Sequence, residues 1–127
     1  MPMLPPTATH QEMGLGVRNG KPYTYEPPNV REARAKLTAH LAGHAPKEPL
    51  QGALRLTVKW LFPRGKRHRD GEYKATRPDT DNLNKLLKDC MTDLHFWHDD
   101  AQVASEVCEK FYADITGIYI QLTELSQ

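Results

Sequence analysis

The feature that most narrows what this chain can fold into is a change of hydrophobic period between two segments, residues 53–62 and 81–94. Residues 53–62 alternate, with Leu54, Leu56, Val58, Trp60 and Phe62 on one side and Arg55, Thr57 and Lys59 on the other. A period of two predicts a strand with one face in a core and one face toward solvent. Residues 81–94 instead carry Leu83, Leu86, Leu87, Cys90, Met91 and Leu94 at helical spacing, which predicts a helix with a single apolar stripe.

Around these two elements the pattern is softer. A first helix is expected over residues 29–43: Asn29 can cap it, Glu32 stands where a capping box needs it, Gly43 suits its end, and Val30, Ala33, Leu37 and Leu41 give it a buried face. Two further strands, 102–111 and 118–124, are expected to pair as a hairpin through a turn at 114–117. Residues 1–28 hold most of the prolines and little periodicity, so they read as an irregular arm with a short strand at Met3 and Leu4. With 127 residues there is room for one domain. The expected fold is α/β (α+β): a small mixed sheet with two helices packed on it.

Composition excludes several classes. Charged residues make up 26% of the chain and no apolar run reaches spanning length, so neither a disordered tail nor a membrane protein is expected. The opening Met-Pro-Met-Leu-Pro-Pro lacks the regions of a secretory signal, which points to the cytoplasm. Cys90 and Cys108 fall in amphipathic segments and are expected to be reduced thiols. The net charge of +1 conceals a split. Residues 1–63 carry 8 basic and 4 acidic side chains and residues 64–77 carry 6 and 2; residues 79–100 carry 2 and 6, and residues 101–127 carry 1 and 4. A basic stretch thus abuts an acidic one, a distribution suited to a nucleic-acid partner beside an acidic site.

The acidic stretch begins with Pro78-Asp79-Thr80-Asp81-Asn82-Leu83-Asn84-Lys85. On an extended entry to a helix, acids two residues apart lie on one side and can share a hard cation. Helix capping by Asp79 or Thr80 competes for the same residues. A second acidic pair, Asp99-Asp100, stands before the strand expected from residue 102, where an acidic turn is the competing explanation. The helix between the pairs is about 20 Å long at its usual rise, so the chain must double back before Asp100 can approach Asp81. Lys85 is four residues beyond Asp81 and Asp89 four beyond Lys85, so ion pairing along one helix face is also available to them.

The basic stretch supplies Arg64, Lys66, Arg67, Arg69, Lys74 and Arg77, read as an exposed loop that either contacts DNA phosphates or is simply solvated. Phe96 and Trp97 could stack on an opened base, although aromatics at a helix end more often close a core. His10 and His68 carry no assigned role. An EF-hand is excluded because Leu83 occupies a ligand position, and Cys90, His95, His98 and Cys108 match no standard zinc spacing.

Asp79-Thr80-Asp81-Asn82-Leu83, Lys85, Asp89 and Asp99-Asp100-Ala101-Gln102-Val103 together resemble the RusA-type Holliday-junction resolvases. The resemblance is strongest over residues 78–110, ending at Lys110. Pro5-Pro6 and Tyr23-Thr24-Tyr25-Glu26-Pro27 look like phage and prophage members. It implies a homodimeric nuclease that uses Mg²⁺ or Mn²⁺ to make paired cuts in four-way DNA within a bacterial host. Asp79, Asp81 and Asp100 would then be the metal-binding catalytic carboxylates, with Asp99 a further candidate, and Lys85 the required lysine. Asp89 and Gln102 would support that set from behind.

Overall fold

The computed structural model describes residues 1–8 and 14–125. In chain order they form β1 (Gly14–Arg18), β2 (Lys21–Tyr25), α1 (Pro28–Ala42), β3 (Leu54–Pro63), α2 (Thr80–Asp93), a 3₁₀ turn (Asp100–Gln102), β4 (Val103–Ala113) and β5 (Gly117–Glu124). The mixed sheet and the two helices are as the periodicities predict. Among the described residues no helix is long and apolar enough to cross a membrane.

β3 is the central strand of a three-stranded sheet, order β4-β3-β5, parallel to β4 and antiparallel to β5. This corrects the expected β4–β5 hairpin. A strand followed by a helix and a parallel neighbour makes a crossover unit, so α2 delivers β4 to one edge of β3 and leaves the other edge for β5. Residues 114–116 then pass across the end of β3 instead of making a tight turn. At the start of β5, the Ile118 N–H donates to the Met1 carbonyl and the Met1 ammonium donates to the Ile118 carbonyl, each at 2.9 Å. Gly117 permits that approach: a Cβ there would stand 2.8 Å from the Met1 oxygen.

The alternation of β3 is realised, since Leu54, Leu56, Val58, Trp60 and Phe62 are all buried. They pack under Leu83, Leu86, Leu87, Cys90 and Met91 of α2 and Ala33, Leu37 and Leu41 of α1. Burying one large apolar side chain contributes about 1.5–3 kcal/mol, and this shared layer fixes both helices on the sheet. Phe96 and Trp97 close the same core, the aromatic indole being fully buried with its N–H on the Thr92 hydroxyl at 2.8 Å.

Three local expectations need correction. Met3 and Leu4 form no strand; the paired strands of the N-terminal region are β1 and β2, joined at Asn19-Gly20, both at positive φ (52° and 75°). Asn-Gly between two extended runs is a strong hairpin signal, hidden here by the surrounding prolines. α1 starts ahead of Asn29, with Pro28 in its first turn, where a preset φ and a missing N–H are both tolerated. No capping box forms, and Glu32 pairs with Lys36 at 3.2 Å; Gly43 does end the helix as its C-cap, in a right-handed conformation. His10 lies outside the described residues.

The return of the chain after α2 has a definite cause. His95 adopts φ 62°, its N–H donates to the Thr92 carbonyl, and the Phe96 N–H donates to the Met91 carbonyl, both at 3.0 Å. This is a Schellman end with histidine in the position usually given to glycine. The reversed chain is stapled to the approach of β3, where the Leu50 N–H donates to the Phe96 carbonyl at 2.9 Å. It carries Asp100 back along α2.

Candidate active site

Asp79 is the N-cap residue of α2, yet its side chain makes no capping hydrogen bond. The local use that competes for this carboxylate is therefore not taken up. Asp79 and Asp81 are both exposed at the entrance of the helix, and Asp81 accepts a 3.0 Å bond from the Asn82 N–H. One turn further along, Lys85 lies 3.1 Å from Asp89 and 3.8 Å from Asp100. The doubling back has thus brought Asp100 to Lys85, which stands one helical turn beyond Asp81.

Lys85 is about half exposed, so its ion pairs contribute at most a few tenths of a kcal/mol to folding. Their electrostatic effect is more informative. The hydrogen bond and charge of Asp89 raise the Lys85 pKa, burial opposes the shift, and Asp100 adds to it. Lys85 is consequently held as an ammonium, suited to stabilising negative charge and unsuited to taking a proton.

The two acids of the second pair have different surroundings. Asp99 caps the 3₁₀ turn, accepting from the Ala101 N–H at 2.9 Å in a capping box completed by Gln102. Gln102 accepts from the N–H groups of His98 and Asp99 and donates to the carbonyls of Leu50 and Gly52 at 3.0 Å each. These bonds fix the direction in which Asp100 leaves the loop. An open groove beside Asp100 is lined by Arg34, Asp89, Thr92, Asp93, His98 and Asp99.

Among the described residues no three His, Cys, Asp or Glu side chains form a ready-made metal cluster. Carboxylates such as those of Asp79, Asp81 and Asp100 are nonetheless hard oxygen donors, the type that small divalent cations take. Such an ion commonly takes one or two carboxylates and leaves its remaining positions to water and substrate phosphate.

Spacing gave no sign of the polar contacts beneath the site. Asn84 is 1% exposed; its Oδ1 accepts from the Trp60 indole N–H at 3.0 Å and its Nδ2 donates to Glu106 at 2.8 Å. Lys88 pairs with the other oxygen of Glu106 at 2.8 Å. Burial would raise the Glu106 pKa, but the bonds from Lys88 and Asn84 outweigh it and hold the group below its ordinary value. Cys108 donates to Asn84 at 3.1 Å, and burial pushes its pKa up to about 11, so it remains a thiol. Both cysteines are free. The available signal was a polar Asn84 beside the apolar stripe of α2, matched by Glu106 at an alternate position of β4.

The basic loop is less detached than its composition suggests. Its backbone runs along β4, with the Gly71 N–H donating to the Tyr112 carbonyl at 2.8 Å, the Tyr112 N–H to the Glu72 carbonyl at 2.8 Å and the Lys74 N–H to the Lys110 carbonyl at 2.9 Å. His68 stacks on Tyr112 with ring centroids 3.7 Å apart and meets Glu72 at 2.5 Å. Arg64 pairs with Asp114, and Lys74 lies over the Phe62 and Tyr112 rings. Lys66, Arg67, Arg69 and Arg77 are exposed cations of this anchored loop, which in sequence leads to Asp79.

A crossover fold with exposed carboxylates at a helix entrance, a fixed ammonium one turn away and a basic loop on the approach has the parts of a phosphodiester-cleaving nuclease. The chain belongs to the RusA family of endodeoxyribonucleases: the family model described as Endodeoxyribonuclease RusA matches residues 4–123. It is similar to the crossover junction endodeoxyribonuclease rusA of Lactococcus phage r1t, with 31% identity over 119 residues, covering 92% of this chain and 89% of that protein. It is also similar to the uncharacterized protein YqaN of Bacillus subtilis (strain 168), with 26% identity over 121 residues, covering 87% of this chain and 84% of the relative.

Proposed function

We propose that this endonuclease resolves four-way (Holliday) DNA junctions by paired symmetric nicks, using Mg²⁺ or Mn²⁺ held by Asp79, Asp81 and Asp100. The observation that carries the site assignment is the meeting of Asp100 with Lys85, one turn from Asp81. The junction substrate is supported by the phage relative's description as a crossover junction endodeoxyribonuclease. A bound divalent cation would supply an ionised water near neutral pH and charge neutralisation at the scissile phosphate. Asp79 and Asp81 at the helix entrance, with Asp100 from the 3₁₀ turn before β4, would be the residues to hold that ion. Lys85, kept protonated by Asp89, places positive charge where the phosphate becomes more negative. The protein acts as a homodimer in the bacterial cytoplasm, because opposite cuts in a two-fold substrate call for two related centres.

Incubation of a labelled four-way junction with the protein and Mg²⁺ tests this reading. Opposed nicks that ligase reseals are expected; equal cleavage of plain duplex would reduce the function to that of a general nuclease.

Arg67 and Arg69 are assigned to DNA phosphates on the acidic side's behalf, since a carboxylate cluster alone would repel the strand it must cut. Replacing both by Gln is expected to weaken junction binding and to flatten its dependence on salt by about 0.9 for each lost phosphate contact. Binding titrations over a salt series measure this directly. An unchanged slope would make the loop a bystander.

A further inference from the structure

Glu106, Cys108 and Lys110 stand at alternate positions of β4, in register with the core-facing Leu56, Val58 and Trp60 of β3. By the period of a strand they share the face covered by α2. Each grips the helix or its approach. Glu106 holds Asn84 and Lys88, and Cys108 lies 3.7 Å from the Thr80 carbonyl. Lys110 reaches furthest: its ammonium donates to the carbonyls of Thr76 at 2.6 Å and Pro78 at 2.7 Å.

We propose that Lys110 is a positioning residue for the nuclease centre: its ammonium fixes the backbone immediately before Asp79, so that Asp79 and Asp81 are presented together to a divalent cation. The inference rests on the reading of those two acids as cation ligands. Charge-assisted bonds to carbonyls are roughly twice as strong as neutral ones, and two of them span the three residues leading into the helix. Asp79 itself makes no capping bond, so the direction of its carboxylate depends on how its backbone is held. The Lys110 carbonyl also accepts from the Lys74 N–H, so one residue of β4 fastens the basic loop and the acidic entrance together.

The test compares Lys110→Met and Lys110→Arg with Asp79→Asn and Asp81→Asn in the full chain. Mn²⁺ binding is followed by electron paramagnetic resonance, junction cleavage is measured against Mn²⁺ concentration, and folding is followed in urea. Lys110→Met is expected to weaken Mn²⁺ binding by about tenfold or more, the scale on which groups that orient metal ligands act. Its cleavage should shift to higher Mn²⁺ by the same factor, with most of the maximal rate regained at saturation. Lys110→Arg, whose guanidinium can bond both carbonyls, should stay within about threefold of wild type.

A simple loop clip would lower the urea midpoint and leave the Mn²⁺ affinity of the folded protein unchanged, and that result overturns the proposal. Should Lys110→Met fail to fold, Lys110→Gln takes its place; failure of both also overturns it, because Lys110 is given no part in the hydrophobic core. If the two aspartate variants weaken Mn²⁺ binding and the lysine variants do not, only the positioning role is lost. If wild type binds no Mn²⁺, or the aspartate variants bind it normally, the ligand reading itself is contradicted.

Discussion

Asp81→Asn and Asp100→Asn are each expected to lower single-turnover junction cleavage by roughly a thousandfold while leaving the fold and junction binding intact. An amide nearly matches a carboxylate in shape but lacks its charge, so it loses the cation and little else. Asp81 is exposed and Asp100 half-buried, and the Asp100 carboxylate meets Lys85 only at the long distance of 3.8 Å. Folding therefore has little to lose. Removing an acid near DNA phosphates also relieves repulsion, so metal-free binding should stay level or tighten. Lys85→Ala behaves differently: it should lose rate with Mn²⁺ affinity retained, because the ammonium acts on the phosphate and does not ligate the ion. Cleavage by both aspartate variants near the wild-type rate would leave these acids as caps and turns.

Trp97→Ala is expected to produce the largest loss of stability, about 3–5 kcal/mol. That is a large share of the 5–15 kcal/mol typical of a domain. Trp97 is fully buried, and its loss would leave a cavity between the end of α2 and the approach to β3 and deprive the Thr92 hydroxyl of its donor. The return loop that carries Asp100 would lose its anchor at the same time. Activity should consequently fall even under conditions where most molecules remain folded. Urea unfolding measures the first effect and cleavage at low temperature the second. Trp97→Phe keeps most of the packing but not the indole N–H, and it should lie between wild type and Trp97→Ala. A loss below about 1 kcal/mol for Trp97→Ala would mean that the loop is held by its backbone bonds alone.

The parts of this fold that were legible in the sequence are those governed by a single period. β3 and α2 each carry one repeating apolar face, and apart from the half-buried Leu94 at the helix end the residues of that face are buried. Pairing was not legible in the same way. β4 and β5 lie close in sequence with a turn-like connection between them, and only the crossover through α2 decides that β3 separates them. The Asn19-Gly20 turn was visible as a dipeptide but stood among prolines that suggested irregular chain.

At the candidate site, i,i+4 spacing correctly anticipated the Lys85–Asp89 pair, since both partners belong to one helix. The approach of Asp100 was harder to foresee. It depends on a left-handed His95, a conformation for which glycine is the usual signal. The contacts of Lys110 and Asn84 were hidden for a related reason: their partners are 22 to 34 residues away, and two of them are backbone carbonyls that no side-chain pattern can announce.

The most direct test sets a four-way junction against a linear duplex of the same sequence, each with Mg²⁺ and a saturating amount of wild-type protein in a single turnover. Two nicks on opposing strands of the junction, resealable by ligase, slow or absent cutting of the duplex, and loss of both activities in Asp81→Asn are the expected result. Duplex cutting as fast as junction cutting, or junction cutting that survives chelation of the metal, would contradict it.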